Sequence, residues 1–237
     1  MVHWLLLVVK VIAGTSDCDL YNNVIAPALG ATTNATRCCD GSTSICTKDG
    51  RITKLKLDGL DLVGFIPPEL AQITLLDSLD LSENNFCAQP IPDLGGLVNL
   101  KSFVAGNSYL SGSLSPWISK LVNLETLEIQ ENNLNGTVAE LGQLTNLKNV
   151  SLNSNSFTGT VPQFNQSALQ TLDLGLNYFD ASDLSWISNL TSLTVLNMDG
   201  IPIKGPIPSQ VFQIQSLQEL YYPIAKLLVK FQQISRN

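Results

Sequence analysis

Few side chains in this sequence could do covalent chemistry. Five cysteines, Cys18, Cys38, Cys39, Cys46 and Cys87, stand among 237 residues. Cysteine can bond to cysteine, ligate a metal or act as a nucleophile. Within TRCCDGSTSIC (36–46) the C-C-x6-C spacing is not that of a zinc site. Adjacent cysteines rarely bond to each other, because a disulfide holds its Cα atoms about 4.4–6.8 Å apart. Cys38 and Cys39 are therefore expected to have separate partners, and four cysteines allow three connectivities. Cys87 follows Phe86 with nothing basic or histidine-like beside it, and is expected to be a small buried apolar residue. The only histidine is His3, which removes histidine catalysis and a His-containing zinc site from the body of the chain. There is no G-x-S-x-G, nucleotide loop, H-E-x-x-H or kinase set. Carboxylates such as Glu128 and Glu131 are expected to be surface groups rather than an acid–base pair. The sequence thus implies no enzyme, no metal and no cofactor.

Formal net charge is -7, which argues against nucleic acid, since phosphate binding needs a basic face. Residues Trp4 to Ala13 are apolar apart from Lys10, and Gly14, Thr15 and Ser16 follow. This pattern predicts a secretory signal over 1–16, which would place the thiols where disulfides persist. No stretch reaches the roughly 20 apolar residues of a transmembrane helix. Membrane attachment would need a longer form of the chain.

The elements that must position these groups are set by a repeat. From residue 52 the pattern L-x-x-L-x-L-x-x-N-x-L-x-G-x-I-P recurs. Its starts at Ile52, Leu76, Leu100, Leu124, Leu147, Leu169, Leu193 and Leu217 step by 24, 24, 24, 23, 22, 24 and 24 residues. Such a period with this leucine spacing is a leucine-rich repeat. Seven complete copies and one partial copy fill 51–222. In the central L-x-L both apolar residues point inward from a short strand. One coil cannot bury its apolar side alone, so coils stack into a continuous core with a parallel sheet along one face. The Asn slot is held by Asn84, Asn132, Asn155 and Asn177, expected to turn inward and satisfy backbone groups of neighbouring turns. Leu60, Ser108 and Ile201 replace it, and those turns are expected to be packed instead.

The tails LVGFIPPEL, FTGTVPQF and IKGPIPSQVF resemble the plant-type subclass of leucine-rich repeats, found in receptor-like kinases, receptor-like proteins and polygalacturonase-inhibiting proteins. The resemblance implies an α/β solenoid: a right-handed superhelix with a parallel β-sheet on the concave face and a disulfide-bonded N-terminal cap. An open solenoid exposes the apolar edge of its first coil and needs such a cap. Residues 17–50 carry cysteines in the order C…CC…C, as plant-type caps do, and the resemblance implies pairing of Cys18 with Cys38 and Cys39 with Cys46. This cap lacks the tryptophan often found before the last cysteine. SPWISKL (115–121) and LSWISNL (184–190) look like one convex-side turn used twice, with Trp117 and Trp186 packing inside it.

Side chains flanking the inward leucines are expected to face the concave side. One column reads Lys56, Asp80, Val104, Glu128, Ser151, Asp173, Asn197, Tyr221, and the next reads Asp58, Ser82, Gly106, Gln130, Asn153, Gly175, Asp199, Tyr222. Asp80, Glu83, Glu128, Glu131, Ser151, Asp173 and Asn197 form the candidate binding surface, rich in carboxylates and amides. Glycosylation sequons occur at Asn34, Asn135, Asn149, Asn165 and Asn189. In 223–237, Ile224, Leu227, Leu228 and Phe231 fall at helical spacing, so the tail is expected to run free or to form a short helix over the last coil. The resemblance implies a secreted or cell-surface module that binds a protein or peptide, with a co-receptor as a further partner. On this reading the chain is the N-terminal part of a longer receptor or a truncated product. The alternative is a secreted inhibitor of a foreign cell-wall hydrolase.

Overall fold

The computed structural model describes residues 16–31, 37–114, 116–205, 209–222 and 227–230. The expected signal segment and Asn34 lie outside them, apart from Ser16. Ser16 caps α1 (Asp17–Leu20) with its hydroxyl on the Asp19 N–H, and a π turn (Tyr21–Ile25) leads into α2 (Ala26–Ala28). Next come β1 (Ser44–Cys46), β2 (Ile52–Lys56), β3 (Ser78–Asp80), β4 (Ser102–Val104) and β5 (Ser111–Ser113). They are followed by β6 (Thr126–Glu128), β7 (Asn133–Gly136), β8 (Asn149–Ser151) and β9 (Ser156–Gly159). The last are β10 (Thr171–Asp173), β11 (Tyr178–Phe179), β12 (Val195–Asn197), β13 (Glu219–Tyr222) and β14 (Leu227–Lys230).

The main sheet has ten strands in the order β1-β2-β3-β4-β6-β8-β10-β12-β13-β14. From β2 to β13 every pair is parallel, because each strand is the same segment of the next coil. The inward pairs Leu55 and Leu57, Leu79 and Leu81, Leu127 and Ile129, and Leu172 and Leu174 are fully buried. Each such side chain contributes about 1.5–3 kcal/mol of burial, which no single coil could collect by itself.

The G-x-I-P tails do more than turn. Together with the residues before them they build a second parallel sheet on the flank, ordered β11-β9-β7-β5. The consensus held no strand there, since these segments alternate serine and asparagine with single apolar residues rather than showing a β-branched run. The convex side carries 3-10 turns at Pro68–Gln72, Trp117–Lys120, Ala139–Gln143, Ser185–Asn189 and Ser209–Gln213. The helical share of the repeats is therefore 3-10, and α-helix among the described residues is confined to the cap. Trp117 and Trp186 are buried in these turns, as the shared motif predicts.

The asparagine ladder forms. Asn155 Oδ1 accepts the Leu134 N–H (3.0 Å) of the previous coil, while its amide donates to Ile129 O (2.9 Å) and Leu152 O (3.1 Å). Asn84, Asn132 and Asn177 repeat the arrangement. Leu60 and Ile201 are packed in this slot, partly and fully buried. Ser108 differs from the expectation: its hydroxyl donates to Leu81 O (2.8 Å), and Asn132 Oδ1 reaches both the Ser108 and the Leu110 N–H. The same hydroxyl accepts the Asn84 N–H (3.4 Å) of the previous coil, and the next asparagine covers the Ser108 N–H. A second row, Asn99, Asn123 and Asn146, stitches the opposite edge by donating to Thr74 O, Val98 O and Val122 O.

Both ends of the sheet are closed by antiparallel strands. β1 pairs with β2, and the two disulfides, Cys18–Cys38 and Cys39–Cys46, fasten it to α1. Asp17 accepts the Ile52 N–H and Arg51 Nε, each at 2.9 Å. Gly64 N–H donates to Leu29 O, and a Cβ at Gly64 would overlap the carbonyl of Ala28, so the cap docks only on a glycine. At the far end β14 pairs antiparallel with β13. The C-terminal helix is thus corrected where the chain is described: 227–230 is a strand, because the edge of β13 offers backbone hydrogen bonds that outweigh a short helix. Ile224 and Phe231 lie outside the described residues. Tyr222 is also corrected. It takes the inward slot of its coil and is buried rather than concave-facing.

Replacing Asn155 with alanine should destabilise the chain by about 1–3 kcal/mol, because buried backbone groups on two coils lose their partner. Replacing Asn153, half-buried on the outward column, should stay within about 0.5 kcal/mol in the same urea titration.

Candidate functional site

The strand register sets the geometry of the outward face. Lys56 pairs with Asp80, Asp80 with Val104, Val104 with Glu128 and Glu128 with Ser151; Ser151 then pairs with Asp173, Asp173 with Asn197 and Asn197 with Tyr221. One unbroken column results, with neighbours about 4.8 Å apart. Asp80, Glu128 and Asp173 occupy every second strand, so successive carboxylates stand about 10 Å apart. They form a spaced ladder of charge, partly screened from one another at physiological salt.

Glu83 and Glu131 do not join this column. Each occupies the left-handed corner that ends the outward segment, at φ 55° and 56°. Both are exposed, and their N–H groups donate to Gly106 O and Asn153 O of the next coil. Gly59, Asn107, Ser154, Leu176 and Gly200 hold the same corner in the other coils.

Several column residues also serve their own strand ends. Asp80 Oδ1 accepts the Ser82 hydroxyl (2.6 Å) and N–H (3.0 Å). Asn197 Oδ1 accepts the Asp199 N–H (2.9 Å), and Ser151 donates to Asn153 Oδ1 (3.0 Å). Such turns are a local reason for Asp, Asn and Ser at these places. Asp173 accepts the Gly175 N–H (3.1 Å) in the same manner, but burial pushes its carboxyl above the ordinary value against the pull of that bond and of the Asn197 amide. A raised carboxyl pKa means that the folded chain holds this proton more tightly than the unfolded chain does. Stability then falls as pH rises from about 3.9 through the raised value, and at neutral pH the ionised group costs stability.

The ion pairs among the described residues join Arg51 to Asp17, Lys120 to Asp93 and Lys148 to Glu125. None of them engages an acid of the outward column. Sequence reasoning passed over two neighbours of that column, Leu176 and Tyr178, which are 57% and 72% exposed. The signal was present: in GLNYF they fill places that hold serine, asparagine or an acid in most coils. Of the sequons, Asn135, Asn165 and Asn189 are exposed, and Asn189 donates its amide to Asn165 Oδ1 (2.7 Å) one coil away. Asn149 is half-buried on β8.

Cys87 is corrected. It is exposed and free, with φ 52°, and Ala88 follows at φ 58°. Two successive left-handed residues take up the extra residue of ENNFCAQPIP and swing the thiol outward, while Phe86 keeps the buried place. The sequence offered the insertion but not the direction of the bulge. Among the described residues no helix is long and apolar enough to cross a membrane.

Comparison with known proteins accords with this architecture. A family model described as Leucine Rich Repeat matches residues 75–97. The chain is 30% identical to Receptor-like protein 39 of Arabidopsis thaliana over 160 residues, covering 67% of this chain and 16% of that protein. It is 32% identical to Receptor-like protein 41 of the same plant over 187 residues, 77% of this chain and 16% of that one. The chain thus spans about one sixth of these relatives. Its fold is similar to the ectodomain of the Arabidopsis receptor kinase HAESA, solved in complex with the peptide hormone IDA and the co-receptor SERK1. There the TM-score is 0.69 at 30% identity, over 81% of this chain and 34% of that one.

Thiol reagents should modify Cys87 in the folded chain at a rate close to that of a short cysteine peptide. A rate slowed a hundredfold would return the residue to the core.

Proposed function

This chain is a leucine-rich repeat solenoid of the plant type, and from that premise we propose that it is an extracytoplasmic binding module, the ligand-recognising part of a receptor-like protein. The observation that carries the reading is the outward column from Asp80 to Asn197, which presents carboxylates that make no ion pair among the described residues along the broad face of the sheet. The likeness to a peptide-bound ectodomain supports a protein or peptide as the ligand and a second receptor chain as a further partner. Two disulfides in the cap and exposed sequons support a secreted or cell-surface location with glycosylation. Similarity to receptor-like proteins supports a non-enzymatic role.

An acidic ladder favours a basic ligand and speeds its arrival at low salt. Each carboxylate attracts a cation weakly in water, so affinity must come from several coils together with desolvation at a few points.

Peptides selected on the folded chain from a displayed random library should be basic, and their binding should weaken as salt rises. Reversing Glu128 and Asp173 to lysine together should reduce that binding by about tenfold or more, roughly the 1.4 kcal/mol that one lost charged contact represents. Reversing the exposed Asp61, on the flank of the first coil, should leave it unchanged. Equal binding to all three chains would overturn the reading.

A further inference from the structure

Three features that each cost stability meet on the sixth coil. Asp173 is half-buried on β10, bonded to the Gly175 N–H, with no lysine or arginine within ion-pair distance among the described residues. Three residues on, Leu176 holds the left-handed corner at φ 53° while 57% exposed. Any residue with a Cβ resists this conformation, and glycine fills the same corner at Gly59 and Gly200. An apolar side chain stands at this corner in this coil alone among those described. Tyr178, two residues further along the rim, is 72% exposed, more than any other large apolar side chain described. Pro202, also exposed, occupies the matching place in the next coil, and Leu176 reaches over Gly200 between them, with its Cδ2 3.8 Å from where a Cβ on Gly200 would lie.

At each of these places a less costly residue would serve the fold. A glycine would relax the corner, an asparagine would keep the turn made by Asp173 without a charge, and a serine would suit the place of Tyr178 as Ser156 does at the same repeat position one coil earlier. Local costs that cluster on one exposed spot point to function rather than to folding. Within six residues of this coil stand a half-buried carboxylate that makes no ion pair among the described residues, an exposed aliphatic side chain and an exposed aromatic one. A cation seated there would be shielded from water by the apolar rim, which strengthens the ion pair, and the rim would bury its own apolar surface in the same step.

We propose that Asp173, Leu176 and Tyr178 form the anchoring site for a peptide segment of a secreted partner in which a basic side chain stands next to an aliphatic or aromatic one. The charge complementarity selects the basic group, and the exposed rim selects its apolar neighbour. This deepens the peptide-binding reading given above and rests on it.

The test uses the full chain and a positional-scanning library of acetylated, amidated hexapeptides on beads. The wild-type chain should enrich arginine or lysine adjacent to leucine, phenylalanine, tyrosine or tryptophan. Asp173→Asn and Leu176→Gly should each bind the enriched pool about tenfold more weakly or worse, while Asp61→Lys binds it as the wild type does. Both site variants should unfold at the same or a higher urea concentration at pH 7, an outcome that a merely structural role would reverse. Two results would overturn the anchor while leaving the broader reading intact. One is an enriched pool that binds both site variants normally but fails on Glu128→Lys; the other is a Leu176→Gly chain that unfolds at lower urea. A library with no enrichment would overturn both readings.

Discussion

Each coil turns sharply inward after its strand, and that turn leaves backbone N–H and C=O groups in an apolar interior with no partner in their own coil. The inward asparagine meets this need. Asn84, Asn132, Asn155 and Asn177 each accept from the previous coil and donate to carbonyls of two coils, so one side chain satisfies groups that would cost about 1–3 kcal/mol apiece if left bare. The amide has one reach, and that reach fixes how one coil sits on the next. The parallel register of the main sheet follows, and with it the outward column. Where the amide is missing at Ser108, Asn132 takes a second donor rather than letting the coils shift.

A stack ordered this way has the same problem at both ends, an open sheet edge and an apolar face. The two ends answer the edge alike, with an antiparallel strand. β1 is held covalently through Cys39–Cys46 and by the clamp of Asp17 on the first backbone N–H of β2. In the turn ahead of it, burial works against the Asp40 carboxylate, but hydrogen bonds from Ser44, Thr43 and Ser42 hold it well below the usual carboxylate range. β14 is joined to β13 by antiparallel backbone pairing. An edge strand that can pair with a neighbour is a strong attractor for any adjacent segment, and this is why helical spacing in the tail was a poor guide.

Periodic features were legible in the sequence, and features that break the period were not. The inward leucines and the four asparagines follow from a spacing repeated many times, so each coil supports the reading of the next, and the burial of Trp117 and Trp186 follows from a turn motif used twice. Cys87 sits where the repeat gains a residue, and a consensus has no power there, whereas Tyr222 falls on the third apolar slot counted from Leu217, so the period itself turns it inward. The flank sheet was missed for another reason. Ser111, Asn133 and Ser156 have weak strand preference by themselves, and they are strands because the coils already stacked bring equal segments side by side. The candidate site divided along the same line. The column of Asp80, Glu128, Ser151, Asp173 and Asn197 came from alternation, whereas Glu83 and Glu131 fell off the sheet because a left-handed corner, invisible to alternation, ends the strand before them.

That corner also separates ordinary surface from surface with a task. Acids on a repeat face keep a solenoid soluble, and Asp80 has its own duty at the end of β3. Charge alone therefore cannot say where a ligand would sit. Cost can. Glu83 and Glu131 at the corner are well hydrated and give up only backbone strain, which the fold imposes there on every coil. Asp173 gives up hydration as well, and Leu176 gives up both a relaxed backbone and a buried side chain. A stack tied from coil to coil by its asparagines can carry such losses on one coil without unfolding. A carboxylate already fixed by its bond to the Gly175 N–H loses little further freedom when a partner arrives.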